Sequence, residues 1–408
     1  MNKRKIINDP VHGFITIQGE LIYDLIQHPW VQRLRRIHQL GLSHLVYPGA
    51  LHTRFNHALG AMHLMGKAIH VLRSKGHDIS AEEAEAALIA ILLHDIGHGP
   101  FSHALEKTIL TNAHHEEVSL RFMHRLNRRF DGQLSLALEI FTGTYPKKFL
   151  HQLVSSQLDV DRLDYLTRDS YFTGVHEGVI GYDRLIEMMD VADDHLVIEH
   201  KGIYSVEKFI ISRRVMYWQV YLHKTVICAE QMLIKTLNRA RYLAKSGVQL
   251  FATPALQFFL YRDITVRDFD EQPAILEQYA RLDDYDIYTA LKEWQYSEDR
   301  VLSFLSKAII NRDLFRIELD SEPISAQRIA DVTAQVQQSF GITDAFDLQY
   351  FVFNDVTTNS AYNLEANNIH IKYRNGRILD VASASDNLNL AALAGTVVKH
   401  YICYPKET

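Results

Sequence analysis

Cysteine is almost missing from this chain: Cys228 and Cys403 are the only two in 408 residues. Two thiols exclude a disulfide framework and any thiolate-rich zinc site, and they fit a reducing compartment. Any metal must therefore be held by histidine and carboxylate. Long apolar runs are missing too; none approaches the roughly eighteen residues that span a bilayer, and the basic N-terminal stretch MNKRKIINDPVHGF has no apolar segment behind it. A cytoplasmic protein with no membrane partner is expected. Positive charge is also in short supply: the net charge of −6 argues against a protein-wide nucleic-acid surface and leaves only local basic stretches, such as RLRR at 33–36, to meet phosphates. Small anions stay open as substrates.

What the chain has instead is core material and histidine. A hydrophobic content of 47% with 23% charged residues excludes wholesale disorder, and the length exceeds that at which single cores stop growing, so a large and a smaller domain are expected. Fifteen of the 22 histidines precede residue 125, which places imidazole chemistry in the N-terminal third. Residues 20–190 carry mostly helical spacing of apolar positions. Ser80 followed by Glu83 predicts a capping box opening the helix ALIAILLHD, which Gly97, Gly99 and Pro100 then stop. The segment HLVIEHKGIYSV (195–206) predicts a small hairpin turning at Lys201 and Gly202, with further helices to about residue 320. Beyond it, Asn375-Gly376 between alternating strands predicts another hairpin, and TVVKHYICYP a strand. The expected organisation is a helical core over 1–320 and a small α+β domain over 321–408.

The eight apolar residues before His94 and Asp95 pose a chemical question, because a buried helix ending in ionisable groups needs those groups compensated. Four pieces assemble into one site: Arg54 and His57 at the start of a helix; His94-Asp95; His114-His115; and LDVDRLDYLTRDS, where Asp161, Tyr165 and Asp169 share a helix face at i, i+4 and i+8. By itself the last stretch reads as a solvated helix face with internal ion pairs. Two imidazoles and two carboxylates from three segments make a mixed N/O ligand set suited to one divalent Zn, Fe, Mn, Ni or Mg ion, with positions left for water and a phosphate oxygen. A cation there would compensate Asp95 and fix a neutral His94. The histidines at 63, 70 and 77 fit a polar helix flank and are given no role.

INDPVHGFI, QRLRRIHQLG, HTRFNHALG, LLHDIGHGPFSHALE, HHEEVS and LDVDRLDYLTRDSYFTG occur in the order found in HD-domain phosphohydrolases. Across residues 5–235 the chain resembles the deoxynucleoside triphosphate triphosphohydrolase branch of that family, with weaker echoes at LDDYDIYTALKEW and NRDLFRIEL. The resemblance implies a mostly α-helical HD-domain core; the small β-hairpin and the C-terminal α+β domain rest on the strand and turn patterns, since the last 70 residues carry none of these motifs. It implies His57, His94, Asp95 and Asp161 as metal ligands, with His98, His103, Glu106 and His115 as catalytic histidines and their acidic partner. It also puts Arg54, Arg162, Tyr165 and Arg213 on the phosphates, Asp169 on the sugar 3'-hydroxyl, and Gln39, Leu40 and Tyr221 around the sugar. Two positions depart from the vertebrate SAM-and-HD-domain enzyme: Arg162 replaces a lysine and Glu106 an aspartate, keeping charge but changing reach.

The activity so implied is attack of water on the α-phosphorus of a dNTP, releasing deoxynucleoside and inorganic triphosphate. Partners so implied are the dNTP, a nucleotide as candidate activator, and further copies of the chain in a dimer or tetramer. Two rivals stay open: an HD phosphohydrolase acting on a monophosphate or signalling nucleotide, and an inactive nucleotide-sensing protein. The complete ligand set argues against the second.

Overall fold

The protein is described from a computed structural model that covers residues 5–101, 108–111, 114–359, 362, 368–386 and 395–406. An antiparallel hairpin opens the chain, β1 (Lys5–Asp9) with β2 (Gly13–Ile17). The helices that build the site follow: α1 (Arg54–Ser74), α2 (Ala81–Leu93), α3 (His115–Arg129) and α4 (Val160–Thr173). Three of the four starts are explained by their caps. Thr53 and Asn56 form a capping box on α1, Ser80 and Glu83 the expected one on α2, and Asp159 accepts the Arg162 amide of α4. Helix α2 is apolar on almost every side and lies in the core, with α1 packed between it and α4.

That packing depends on a glycine. A Cβ at Gly60 would sit 2.0 Å from Asp164 Oδ1 and 2.2 Å from Arg168 Nη2, so only glycine lets α1 cross the buried ion pair on α4. The pair itself is fully enclosed, Arg168 Nε donating to Asp164 Oδ2 at 2.9 Å and Nη2 to Oδ1 at 2.9 Å. The solvated-face reading of the 159–169 stretch is therefore corrected for these two positions. Their i, i+4 spacing was legible, but which side of α4 meets α1 is a tertiary matter.

Among the described residues no helix is long and apolar enough to cross a membrane. The second hairpin exists but is displaced from its expected place. It pairs β3 (Met189–Ala192) with β4 (His195–Glu199) and turns at Asp193-Asp194, both at positive φ (50° and 64°), whereas Lys201 and Gly202 lie in a 3-10 turn leading into α5 (Ile203–Met216). Gly202 serves close packing, since a Cβ there would meet Met188 at 2.8 Å. The Asn375-Gly376 hairpin forms as expected, with Gly376 at φ 84°. Its strand His370–Lys372 runs parallel to β4 and extends that sheet.

Helix α6 (Lys224–Lys245) backs a three-stranded antiparallel sheet in which Val397–Tyr404 lies between Arg316–Asp320 and Phe353–Asn359. Both sheets thus join strands from either side of residue 320. Composition marks where strands begin in the chain, whereas pairing decides which segment completes them. Cys228 on α6 and Cys403 on the last strand are free and buried, and the Cys228 thiol donates to the Phe315 carbonyl at 3.4 Å. Replacing Gly60 with alanine is expected to break the Asp164–Arg168 geometry and to cost about 3–5 kcal/mol, the range for disrupting a buried ion pair. Thermal or urea unfolding monitored by circular dichroism measures it; a loss below about 1 kcal/mol would show that α1 and α4 can separate freely.

Candidate active site

Two helix starts and one helix end converge on a single point: His57 in the first turn of α1, Asp161 in that of α4, and His94-Asp95 just past the end of α2. His57 Nε2 lies 3.0 Å from Asp161 Oδ1 and 3.3 Å from His94 Nε2, and His94 Nε2 lies 3.4 Å from the same Asp161 oxygen. Asp95 closes the group, Oδ1 at 3.4 Å from His94 Nε2 and Oδ2 at 3.9 Å from His57 Nε2. The four expected ligands are thus brought together.

The residues fit a divalent cation, and the outer bonds show why. His57 Nδ1 donates to Asp164 Oδ2 at 2.8 Å and His94 Nδ1 to the Ile91 carbonyl at 2.6 Å. Both rings are thereby set in the tautomer whose Nε2 lone pair faces the common centre, as metal-ligating histidines require. The local field is also that of a cation site. Burial alone would lower the His57 pKa, but hydrogen bonds donated to the Asp161 and Asp164 carboxylates reverse this and carry it up to about 10. Burial opposes ionisation of Asp161, yet His94 and His57 hold its carboxyl well below the usual range.

A second group stands beside the first. His98 Nε2 is 3.3 Å from Asp95 Oδ1, and its ring stacks on His115 with centroids 3.8 Å apart. Burial, aided by the Arg54 guanidinium, pushes the His98 pKa down to about 3, so this imidazole is neutral. Gly97 makes the approach of α3 feasible, because a Cβ there would meet Ser119 N at 2.2 Å and the His115 carbonyl at 2.3 Å. Arg54, expected on phosphate, donates to Asp95 Oδ2. His103 and Glu106 lie outside the described residues.

On the other side of the ligands lies a cluster of cations and phenols. Tyr165 has Tyr217, Arg162 and Arg213 for electrostatic neighbours, and its ring is 6.1 Å from that of Tyr221. Arg213 sits over the Tyr217 ring at 5.8 Å, and Arg162 donates to Asp159, the cap of its own helix. Tyr217–Tyr221 form a π-helical turn, the irregularity that displaces these side chains from regular spacing. At the far end Tyr221 Oη donates to Asp169 Oδ2 at 2.7 Å and His52 Nε2 to Oδ1 at 2.7 Å. Gln39 joins through its amide on the His52 carbonyl at 3.0 Å, while its buried Oε1 has no hydrogen-bond partner among the described residues. Leu40, half-buried, follows it.

Several residues of the site were not singled out from sequence: Asp164, Arg168, His52, Tyr217 and Arg33. Arg33 also corrects the reading of RLRR as a phosphate contact. It is fully buried and donates to the carbonyls of Ile96, His98 and Leu282, clamping the turn that carries His98. Arg36 pairs with Asp283 and Arg35 covers the Phe55 ring. The distant LDDYD echo is structural too, since Asp284 accepts from the His38 amide at 2.8 Å and the Phe101 amide at 3.2 Å.

Residues 54–169 match the HD domain and residues 180–252 the HD associated region. YwfO of Bacillus subtilis, an uncharacterised protein, is 32% identical over all of this chain and 93% of its own. A crystal structure of a phosphohydrolase from Bacteroides thetaiotaomicron superposes with a TM-score of 0.96, at 56% identity over 99% of this chain and 100% of that one. This chain is an HD-domain phosphohydrolase. A Dictyostelium discoideum relative named as a deoxynucleoside triphosphate triphosphohydrolase SAMHD1 homolog is 33% identical over 60% of the chain, which spans only 51% of that protein.

For the HD phosphohydrolase, His94→Ala and Asp95→Ala are expected to abolish metal binding and hydrolysis while the helical circular dichroism persists, because the apolar body of α2 supplies the packing. Metal analysis of the purified variants checks this. Full stoichiometry in either would place the ion elsewhere.

Proposed function

We propose that this phosphohydrolase is a metal-dependent enzyme that converts deoxynucleoside triphosphates to deoxynucleoside and inorganic triphosphate in the cytoplasm. The observation that carries the reading is the order of groups leading away from the His57–His94–Asp161 cluster: guanidinium and phenol donors first, then Asp169 gripped by His52 and Tyr221. A divalent ion held by His57, His94, Asp95 and Asp161 would neutralise phosphate charge and lower the pKa of a water from 15.7 towards about 7.

The chain's own groups do the rest. Arg162 and Arg213 offer planar forks for phosphate oxygens, and Tyr165 adds a phenol that burial keeps protonated. Arg54 orients Asp95 from the same side. A neutral His98 is positioned to orient a water beside Asp95, leaving proton delivery to the leaving 5'-oxygen to His115 or His103, with Glu106 their acidic partner. Asp169 already accepts two hydrogen bonds, but an ionised carboxylate has acceptor sites to spare for a 3'-hydroxyl. The orphaned Gln39 Oε1, with Leu40, fits the sugar side of the same pocket. A homo-oligomeric state and a nucleotide activator belong to this reading as its further expectations.

Selectivity for deoxyribose follows, because a ribose 2'-hydroxyl packed against Leu40 and Tyr221 would be buried and poorly partnered, at about 1–3 kcal/mol. In a panel of dNTPs and NTPs, with and without a second dNTP, turnover should favour deoxyribose by roughly tenfold to hundredfold; comparable rates for GTP and dGTP reject the assignment.

The bond broken is equally testable. In 18O-water the label should enter inorganic triphosphate, and the nucleoside should keep its 5'-oxygen. Primary release of dNMP with pyrophosphate, or of dNDP with orthophosphate, overturns the mechanism.

A further inference from the structure

The first hairpin of the chain reaches the back of the ligand cluster. Asp9 ends β1, and its Oδ1 accepts the amides of Val11 at 3.0 Å and His12 at 2.9 Å, which shapes the turn into β2. Its other oxygen accepts Arg168 Nη1 at 2.8 Å. The turn so shaped aims His12 inward. His12 Nε2 donates to Asp164 Oδ1 at 2.7 Å, and both side chains are wholly enclosed. The ring is held edge-on by Tyr182 at 5.2 Å and tilted against His63 at 5.7 Å.

Asp164 is therefore a hub. One of its oxygens receives His12 and Arg168, and the other receives Arg168 and His57 Nδ1. The orientation of this one carboxylate sets the tautomer and plane of His57, and His12, one of the donors that hold it, lies 152 residues away in the chain. Arg168 supplies charge compensation by two bonds, so the role left to His12 is directional.

We propose that His12 is a positioning residue of the metal centre: by donating to Asp164 it fixes the His57 ring, so that metal affinity depends on the N-terminal hairpin. The proposal rests on the assignment of His57, His94, Asp95 and Asp161 as ligands. Outer partners of ligating histidines carry about tenfold to hundredfold in metal affinity. Removal of His12 leaves Asp164 paired with Arg168, so no buried charge is stranded and the chain retains its fold.

The test uses the full chain stripped by chelator and titrated with cobalt(II), reading affinity by competition, the ligand-field absorption spectrum, and the melting temperature of the metal-free protein. His12→Phe should bind cobalt about tenfold to hundredfold more weakly with an altered spectrum and little change in metal-free melting. His12→Gln, whose amide nitrogen can replace Nε2 as donor, should recover most of both. His94→Ala separates the two claims. Stoichiometric cobalt retained by His94→Ala overturns the ligand assignment itself. Cobalt lost there while His12→Phe keeps normal affinity and spectrum overturns the role of His12 alone. Equal weakening by His12→Phe and His12→Gln, in step with lowered metal-free melting, also overturns it, because packing and not the donated hydrogen bond would then be responsible.

Discussion

Buried negative charge is the constraint around which this structure is arranged. Asp95, Asp159, Asp164 and Asp169 are each less than a tenth exposed, and Asp161 stands beside them at the cleft. Ionised carboxylates removed from water are tolerated only when paired and hydrogen-bonded. Each has a distinct answer. Arg54 and His98 meet Asp95, Arg162 and the start of α4 meet Asp159, Arg168 and two histidines meet Asp164, and His52 with Tyr221 meets Asp169. Asp161 meets the two imidazoles of the cluster at 3.0 and 3.4 Å, which is where a divalent cation has most to offset.

The same charges dictate where backbones must approach. Gly60 lets α1 lie across the Asp164–Arg168 pair, and Gly97 lets α3 bring His115 over His98. Tyr279 Oη donates to the Gly97 carbonyl at 3.0 Å while Arg33 holds the carbonyls on either side, so the turn after α2 is fastened from two directions. Packing and chemistry are joined here through hydrogen bonds to a single short turn.

Farther from the ligands the C-terminal segments serve architecture. Strand Val397–Tyr404 completes a sheet begun at Arg316–Asp320, and the hairpin around Asn375-Gly376 extends the sheet of β3 and β4, with the short helix Val381–Ala384 that follows it packed on α5. Tyr217–Tyr221 follows directly on α5, so the phenols of the cleft continue the helix that carries Arg213.

Sequence by itself determined what depends on local spacing and residue chemistry. The capping box at Ser80–Glu83, the Asn375-Gly376 turn, and a ligand set of histidine and carboxylate in a chain nearly without cysteine were all legible, because each is decided within a few residues or by composition. The place of the hairpin turn was not, since the chain turns at Asp193-Asp194 while Gly202 is packed against Met188. Nor was the fate of Asp164, Arg168, Arg33 or His12. Their charges and spacing look like those of any solvated surface; the packing of α4 on α1 with the first hairpin encloses Asp164, Arg168 and His12, and the turn after α2 with Leu282, Phe122 and Tyr279 encloses Arg33. Burial is a property of the whole fold, and it was burial that gave these groups their roles.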